Sequence, residues 1–274
     1  MAIHFEPDAV MVVSGGNLHP MAIATLRELA AQRKKPFKTG IYYTESPYFG
    51  AHETSTAGLY DVVFTNERRA VEDFRQYNPA SYYLPHAYNP AVHQPGPPDP
   101  EKASDVFFVG TGFDERKALF NGVDWTDINF RLLGYGWNGF EADTLNPAGV
   151  TDNADTARYY HSASICLNQH RTTTTWGSGA HIAAGAAESI GPRAYEIAAC
   201  GAFQLCDDSR PEIGEVFGDA AATYRAGDSA DLGRQIRWWL THPDARADWQ
   251  AAQHAAVQPH TWAVRAADIL TTLI

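Results

Sequence analysis

Long apolar runs, cysteines and positive charge are all scarce in this 274-residue sequence, and each scarcity closes off a class of protein. No stretch approaches the ~20 consecutive apolar residues that cross a bilayer as a helix, so no membrane span is predicted. The opening MAIHFEPDAV lacks the basic-then-apolar order of a secretory signal, which makes the cytoplasm the expected location. The 3 cysteines, Cys166, Cys200 and Cys206, form an odd set without metal-ligand spacing. That argues against a disulfide framework or a zinc site and for core thiols. With 21 Lys and Arg against 32 Asp and Glu, the formal net charge of -11 works against unspecific attraction to nucleic acid or anionic membrane. The one basic cluster, Arg33-Lys34-Lys35, closes a helix-like segment and suits the negative end of its dipole.

What is present reads as a folded α/β protein, with 45% hydrophobic and 19% charged residues. The N-terminal part alternates short β-branched runs with helix-like stretches: AVMVVSGG, MAIATLRELAAQRKK, FKTGIYYTE, YDVVFTN, RRAVEDFRQY and ASYYLP. Such alternation predicts a parallel sheet. Proline and charge then collect in QPGPPDPEKAS, which resists helix and strand alike and is expected to link two domains. The predicted division is 1–95 for an N-terminal domain, 96–104 for the linker and 105–274 for a C-terminal domain. Alternation restarts at DVFFVGTG and runs through AATYRAG, giving a second doubly wound unit. Helical periodicity fills the remainder, DLGRQIRWWLTHPDARADWQAAQHAAV and HTWAVRAADILTTLI, and the last helix is a candidate to pack back on the N-terminal domain. Two such units leave a cleft at the carboxyl ends of their strands, where open α/β sheets bind ligands.

The segment from Glu188 through Pro192-Arg193-Ala194-Tyr195-Glu196 to Gly201 carries the most chemistry. Of two glutamates eight positions apart, the second opens a small-residue helix, which Gly201 ends in a left-handed conformation before the strand from Ala202 to Cys206. A carboxylate at the helix start accepts hydrogen bonds from ribose hydroxyls, while backbone N–H groups and Arg193 face a diphosphate. The plainer alternative is that Glu188 and Glu196 are acids favoured by the helix dipole. Gly110, Thr111 and Gly112 sit between strand and helix, so their amides are candidates to face a diphosphate beside Arg116 or Lys117; an ordinary turn is the alternative. Asn168, His170 and Arg171 follow the strand Ser164 to Leu167, either at the cleft mouth or as a capping, solvated cluster.

On these residues the chain resembles CgeB-like, retaining glycosyltransferases of the GT-B architecture. The resemblance rests on Tyr60–Asn66, Leu84–Pro90, Asp105–Thr111 with Arg116, Leu133–Gly136, Leu167–Arg171, Pro192–Glu196 and His260–Arg265, which fall in the family's order. It spans nearly everything from Pro7 to the C-terminus. It implies two Rossmann-like domains with terminal helices and transfer of sugar from a nucleoside diphosphate sugar, without a required cofactor or metal. It implies that Glu196 holds the donor ribose, with Arg193 and Glu188 near the phosphates or sugar. Gly136 and Tyr195 come from the matching motifs as donor contacts. Glycosyl transfer needs stabilisation of the departing diphosphate, for which Arg116, Arg171 and Arg193 are the candidates. Retention by front-face displacement needs no dedicated base. Inversion would need one from the N-terminal domain, where Glu45, His52 and His86 lie near predicted strands, Glu45 being preferred.

Two departures matter. The N-terminal half is short, lacking the strand, glycine loop and helix that relatives place before Ala9–Gly16, which leaves Gly15-Gly16 as either a turn or a substrate contact. The Thr172–Ala187 link is longer than usual and is either a lid over the donor or a passive loop. The acceptor is expected to be a protein, glycan or small molecule, with a modified base in DNA as an alternative. A noncatalytic nucleotide-sugar-binding subunit and a nucleotide-sugar epimerase are further alternatives.

Overall fold

A computed structural model describes residues 6–14, 16, 18–48, 50–138, 140, 143–145, 152–172 and 186–274, with the backbone alone at 51 and 143–145. It divides into two compact units. Unit 1 comprises the described residues of Met1–His86 and Thr174–Ser189 with Ala263–Ile274; unit 2 comprises those of Ala87–Thr173 with Ile190–Trp262.

Unit 1 is a four-stranded parallel sheet in the order β1 (Ala9–Val13), β2 (Lys38–Tyr43), β3 (Val62–Thr65), β4 (Ser81–Tyr83). Helices α1 (Pro20–Ala31), α2 (Gly50–Ala57) and α3 (Ala70–Arg75) connect the strands. Alternation along β2 and β3 sends Ile41, Tyr43 and Val63 to one face, with Ile23, Ala57 and Phe74. Tyr42, Val62 and Phe64 go to the other, which α10 (Trp262–Leu273) covers through Leu273. Gly40 makes that approach possible, since a Cβ there would stand 3.1 Å from both Leu273 methyl carbons. Arg265 fastens the helix by donating to the carbonyls of Pro85 (3.1 Å) and His86 (3.3 Å).

Unit 2 holds a six-stranded parallel sheet. Its order is β10 (Thr223–Tyr224), β9 (Gln204–Asp207), β8 (Ala163–Asn168), β5 (Ser104–Val109), β6 (Phe130–Leu133), β7 (Asp143–Leu145). Val106, Phe108, Leu132, Ile165 and Leu167 face one core, and Phe107, Leu133 and Cys166 face another. Burial on both faces explains why these strands read as continuous apolar runs. The flanking helices are α4 (Asp114–Asn121), α5 (Asn153–Ser162), α6 (Pro192–Ala199), α7 (Glu212–Phe217), α8 (Ser229–Thr241) and α9 (Pro243–Val257). Asp152 and Asp228 cap α5 and α8 by accepting from the N–H three residues on. Gly201 ends α6 with φ +67°, as its position after the helix demands. The proline-rich stretch 96–104 lies in unit 2, where Asp99 caps the turn Pro100–Lys102 and pairs with Arg158 at 2.6 Å. The three cysteines are free and buried, and burial pushes their thiols up.

One carboxyl group of unit 1 was not anticipated. Glu53 is 2% exposed and accepts from the Ser46 hydroxyl at 2.7 Å. Burial pushes its pKa up to about 7 from an ordinary 4.5, the Ser46 hydrogen bond opposing the rise and the charge of Glu45 adding to it. The folded chain therefore holds a proton that the unfolded chain releases. The stability this group confers is complete below pH 4.5 and is lost as the pH rises through 7. Glu53→Gln is expected to raise stability at pH 8.5 by roughly 3 kcal/mol, with the gain closing as the pH falls toward the unfolded-state value. Denaturant midpoints of both proteins across this range check it; a pH-independent difference would contradict it.

Candidate functional site

In unit 2 the chain order reverses between β5 and β8: successive strands run outward from β5 to β7 on one side and from β8 to β10 on the other. The loops leaving two such neighbours diverge, and the crevice at that switch point is where parallel sheets take ligands. The loop after β5 is Gly110-Thr111-Gly112, and that after β8 is Gln169-His170-Arg171.

Arg116, buried on α4, ties these two loops together. Its Nε donates to Gln169 Oε1 (3.0 Å), its Nη1 to the Thr111 carbonyl (3.0 Å) and its Nη2 to the Gln169 carbonyl (2.7 Å). Phe108 and Phe113 lie against its guanidinium at 5.2 and 5.3 Å. The sequence placed Arg116 beside a departing diphosphate; instead its fork is engaged with protein atoms.

The glycines also need correction. Gly110 N–H donates to Leu133 O (2.9 Å) and Gly112 N–H to Tyr135 O (2.7 Å), so neither amide faces a ligand. The β5 loop packs on the β6 loop, Gly134-Tyr135-Gly136, and Trp137 Nε1 donates to Gly110 O at 2.9 Å. Contact is so close that a Cβ on Gly134, at φ +129°, would stand 2.2 Å from Gly110 O. Gly136, at φ +79°, lies 3.5 Å by the same measure from Gly112 O. These glycines serve loop-on-loop packing.

Beyond β8, Asn168 is buried and donates to Gln204 Oε1 (3.3 Å), an internal contact. His170 is buried, and Asp207 at the end of β9 accepts from both its backbone N–H (2.5 Å) and its Nδ1 (3.0 Å). Asp207 Oδ1 takes the Ser209 N–H (3.1 Å) and hydroxyl as well. Burial opposes the Asp207 charge, but the His170 imidazole and these donors outweigh it and hold the carboxyl well below the usual range. His170, Cys206 and Asp207 offer ligand atoms within 4.8 Å of one another, the spacing of a metal cluster. Their chemistry fits a hydrogen-bond hub better: both Asp207 oxygens are filled, and burial holds the Cys206 thiol protonated. Arg171 is half-buried, with its guanidinium 4.8 Å from the Phe113 ring and its carbonyl accepting from buried Arg210 (2.9 Å).

Helix α6 starts nearby in the chain order of the same unit, with Pro192 at its first position and Glu212 accepting the Ile190 N–H at 2.7 Å. Arg193 Nε donates to the Tyr160 hydroxyl at 3.3 Å. Burial works against its charge, yet Tyr160 and Glu196 together raise its pKa. Glu196 is half-buried, and its carboxylate accepts no hydrogen bond among the described residues. Tyr195, expected as a donor contact, is a core residue: fully buried, it packs with Ala199, Ile213 and Val257 and tilts against His260 at 5.3 Å.

Glu188 and Glu45 belong to unit 1. Buried Glu67 accepts the backbone N–H groups of Arg69 (3.0 Å), Glu188 (3.1 Å) and Ser189 (3.3 Å), and Arg69 pairs with the Glu188 carboxylate at 3.4 Å. Glu45 is exposed after β2. His86 is buried, and burial with the Arg265 charge lowers its pKa to about 4. Thr173–Gly185, most of the expected lid, and Gly15 lie outside the described residues.

A family model described as glycosyl transferase-like matches residues 116–271, more than half of the chain. The chain belongs to this family. The glycosyl transferase-like chain is 20% identical over 263 residues to spore protein CgeB of Bacillus subtilis (strain 168), covering 93% of itself and 79% of that protein. Among solved structures it is similar to sucrose-phosphate synthase from Thermosynechococcus elongatus, with TM-score 0.64 and 13% identity over 98% of this chain and 74% of that one. It is also similar to HepE from Anabaena in complex with UDP-glucose, with TM-score 0.64 and 11% identity over 97% and 78%. The two parallel α/β units are thus those of the GT-B architecture expected from the sequence. No described helix is long and apolar enough to cross a membrane.

Sequence reasoning missed Gln169, Asp207, Arg210, Glu53 and Glu67. A polar residue just past a predicted strand was the available signal, and Gln169, Asp207 and Glu67 carry it. The Arg116 clamp is directly testable. A lysine ammonium cannot reproduce a planar fork reaching two loops between two rings. Arg116→Lys is expected to lower stability by about 2–4 kcal/mol in denaturant unfolding. An unchanged midpoint would mean that the loops hold without it.

Proposed function

We propose that this glycosyl transferase-like chain moves a sugar from a nucleoside diphosphate sugar to an acceptor, with unit 2 binding the donor. The observation that carries this reading is the Glu196 carboxylate, half-buried on the second turn of α6 rather than at the helix start expected from the sequence, with its acceptor capacity unspent among the described residues and Arg193 charged beside it. A ribose offers the two hydroxyl donors such a group lacks. HepE, of the same fold, holds UDP-glucose, which supports a nucleotide-sugar donor.

In this reading the departing diphosphate meets Arg171, whose guanidinium leans on the Phe113 ring, and Arg193 near the start of α6. Charge developing on the leaving group in a partly desolvated site is what such preorganised cations stabilise. Arg116 acts as a positioning residue. His170, oriented by Asp207, lines the site through the Gln169–Arg171 loop. Transfer is retaining and metal-independent, the charge of the leaving group being met by arginines. The net charge of -11 favours a protein, glycan or small molecule as acceptor over DNA.

Glu196→Ala is expected to weaken nucleoside diphosphate binding roughly 10- to 100-fold, the worth of two hydrogen bonds to a charged acceptor, with the fold retained. Isothermal titration calorimetry against UDP, GDP, ADP and CDP measures it. Unaltered affinity in a folded variant would falsify the reading.

A further inference from the structure

His93 is 4% exposed, and its Nδ1 meets no hydrogen-bonding atom among the described residues. Native interiors seldom leave such an atom unpartnered without a use. Its surroundings are well fixed. Its own N–H donates to Asn89 O at 2.8 Å. The backbone of the next residue, Gln94, lies near enough to the Cys200 thiol to act on its charge, and its carbonyl accepts from His161 Nε2 at 2.8 Å. Pro95 rests against Gly201, where a Cβ would be 3.3 Å from its ring. The segment 93–95 therefore lies along the second half of α6.

Cys200 and Glu196 are four residues apart and share a face of that helix. Two residues before Pro95, which rests on Gly201, His93 lies within electrostatic range of the Glu196 carboxylate. Burial lowers the pKa of the imidazole, with the Glu196 charge pulling the other way. On the other flank, Arg193 is held by Tyr160. Two polar groups of opposite need, a ring nitrogen and a carboxylate, thus stand within electrostatic range of each other in one unit, with no hydrogen bond of their own among the described residues.

We propose that His93 is a positioning residue for Glu196: as a nucleotide displaces water, the Nδ1–H takes one carboxylate oxygen and turns the other toward the ribose hydroxyls. This rests on the nucleotide-sugar reading above and deepens it. Excluding water strengthens the hydrogen bond at the moment it is needed. A carboxylate so oriented reads the 2′-hydroxyl, and the site takes ribonucleotides in preference to 2′-deoxyribonucleotides.

The test titrates the full chain with UDP, GDP, ADP and CDP and with their 2′-deoxy counterparts, carrying forward the base that binds tightest. Wild type is expected to favour the ribonucleotide by about tenfold or more, the worth of one good hydrogen bond. His93→Phe and His93→Gln bring that ratio to within about threefold, the loss falling on the ribonucleotide. His93→Asn, whose amide occupies the place of Nδ1, keeps most of it. A merely structural role would move all three alike. Should His93→Phe fail to fold, the contrast between Asn and Gln decides. An unmoved ratio in Phe and Gln, an Asn variant as poor as Phe, or no ribose preference in wild type overturns the proposal. If Glu196→Ala still costs affinity while the His93 variants change nothing, only this inference falls. If wild type binds no nucleoside diphosphate, or Glu196→Ala binds as well as wild type, the nucleotide reading falls with it.

Discussion

A buried guanidinium joins the two strand ends at which the sheet of unit 2 changes direction. Arg116 reaches the loop after β5 through Thr111 O and the loop after β8 through two atoms of Gln169. The first loop is pressed on the β6 loop so closely that Gly134 tolerates no side chain. The second carries His170 and Arg171. Where these loops stand decides where a ligand at the switch point meets charge. That duty explains why Arg116 is unsuited to stabilising a leaving group directly: a cation whose donors are committed to carbonyls has little left to offer. Arg171 and Arg193 remain better placed.

Carboxylates organise backbone throughout this acidic chain. Glu67 gathers three N–H groups, Asp207 gathers donors from His170 and Ser209, and Glu212 takes the N–H of Ile190. Ser189 and Ile190 are adjacent in sequence yet belong to different units, and each is held by a carboxylate of its own unit. Charge-assisted bonds to backbone N–H groups are stronger than neutral ones, which suits points where the chain must be fixed without regular structure. Glu196 differs from these because its carboxylate accepts no backbone N–H among the described residues.

Much of the fold was legible. Apolar runs bounded by glycine and charge gave β5, β6, β8 and β9, and Gly201 marked the end of α6, whose start at Pro192 lies four residues before the Glu196 at which the sequence reading opened it. The three-residue β7 carries no such run, and α2, with little apolar periodicity in Gly50–Ala57, gave no helical signal. The site was read less well, because a motif shows which residues share a loop and not which of their atoms are already taken. The amides of Gly110 and Gly112 are consumed by residues more than twenty positions away. Tyr195 was readable in principle: with Ala194, Ala198 and Ala199 it forms an i, i+3, i+4 stripe, the pattern of a buried helix face. Glu196 lies off that stripe.

The central claim is that Glu196 grips the ribose of a bound nucleotide. A crystal structure of the chain with the nucleoside diphosphate it binds most tightly measures this directly. The account predicts ribose hydroxyls within about 3 Å of the Glu196 carboxylate and the diphosphate toward Arg171 and Arg193. A nucleotide bound in unit 2 with its ribose away from α6, or bound elsewhere in the chain, would contradict it.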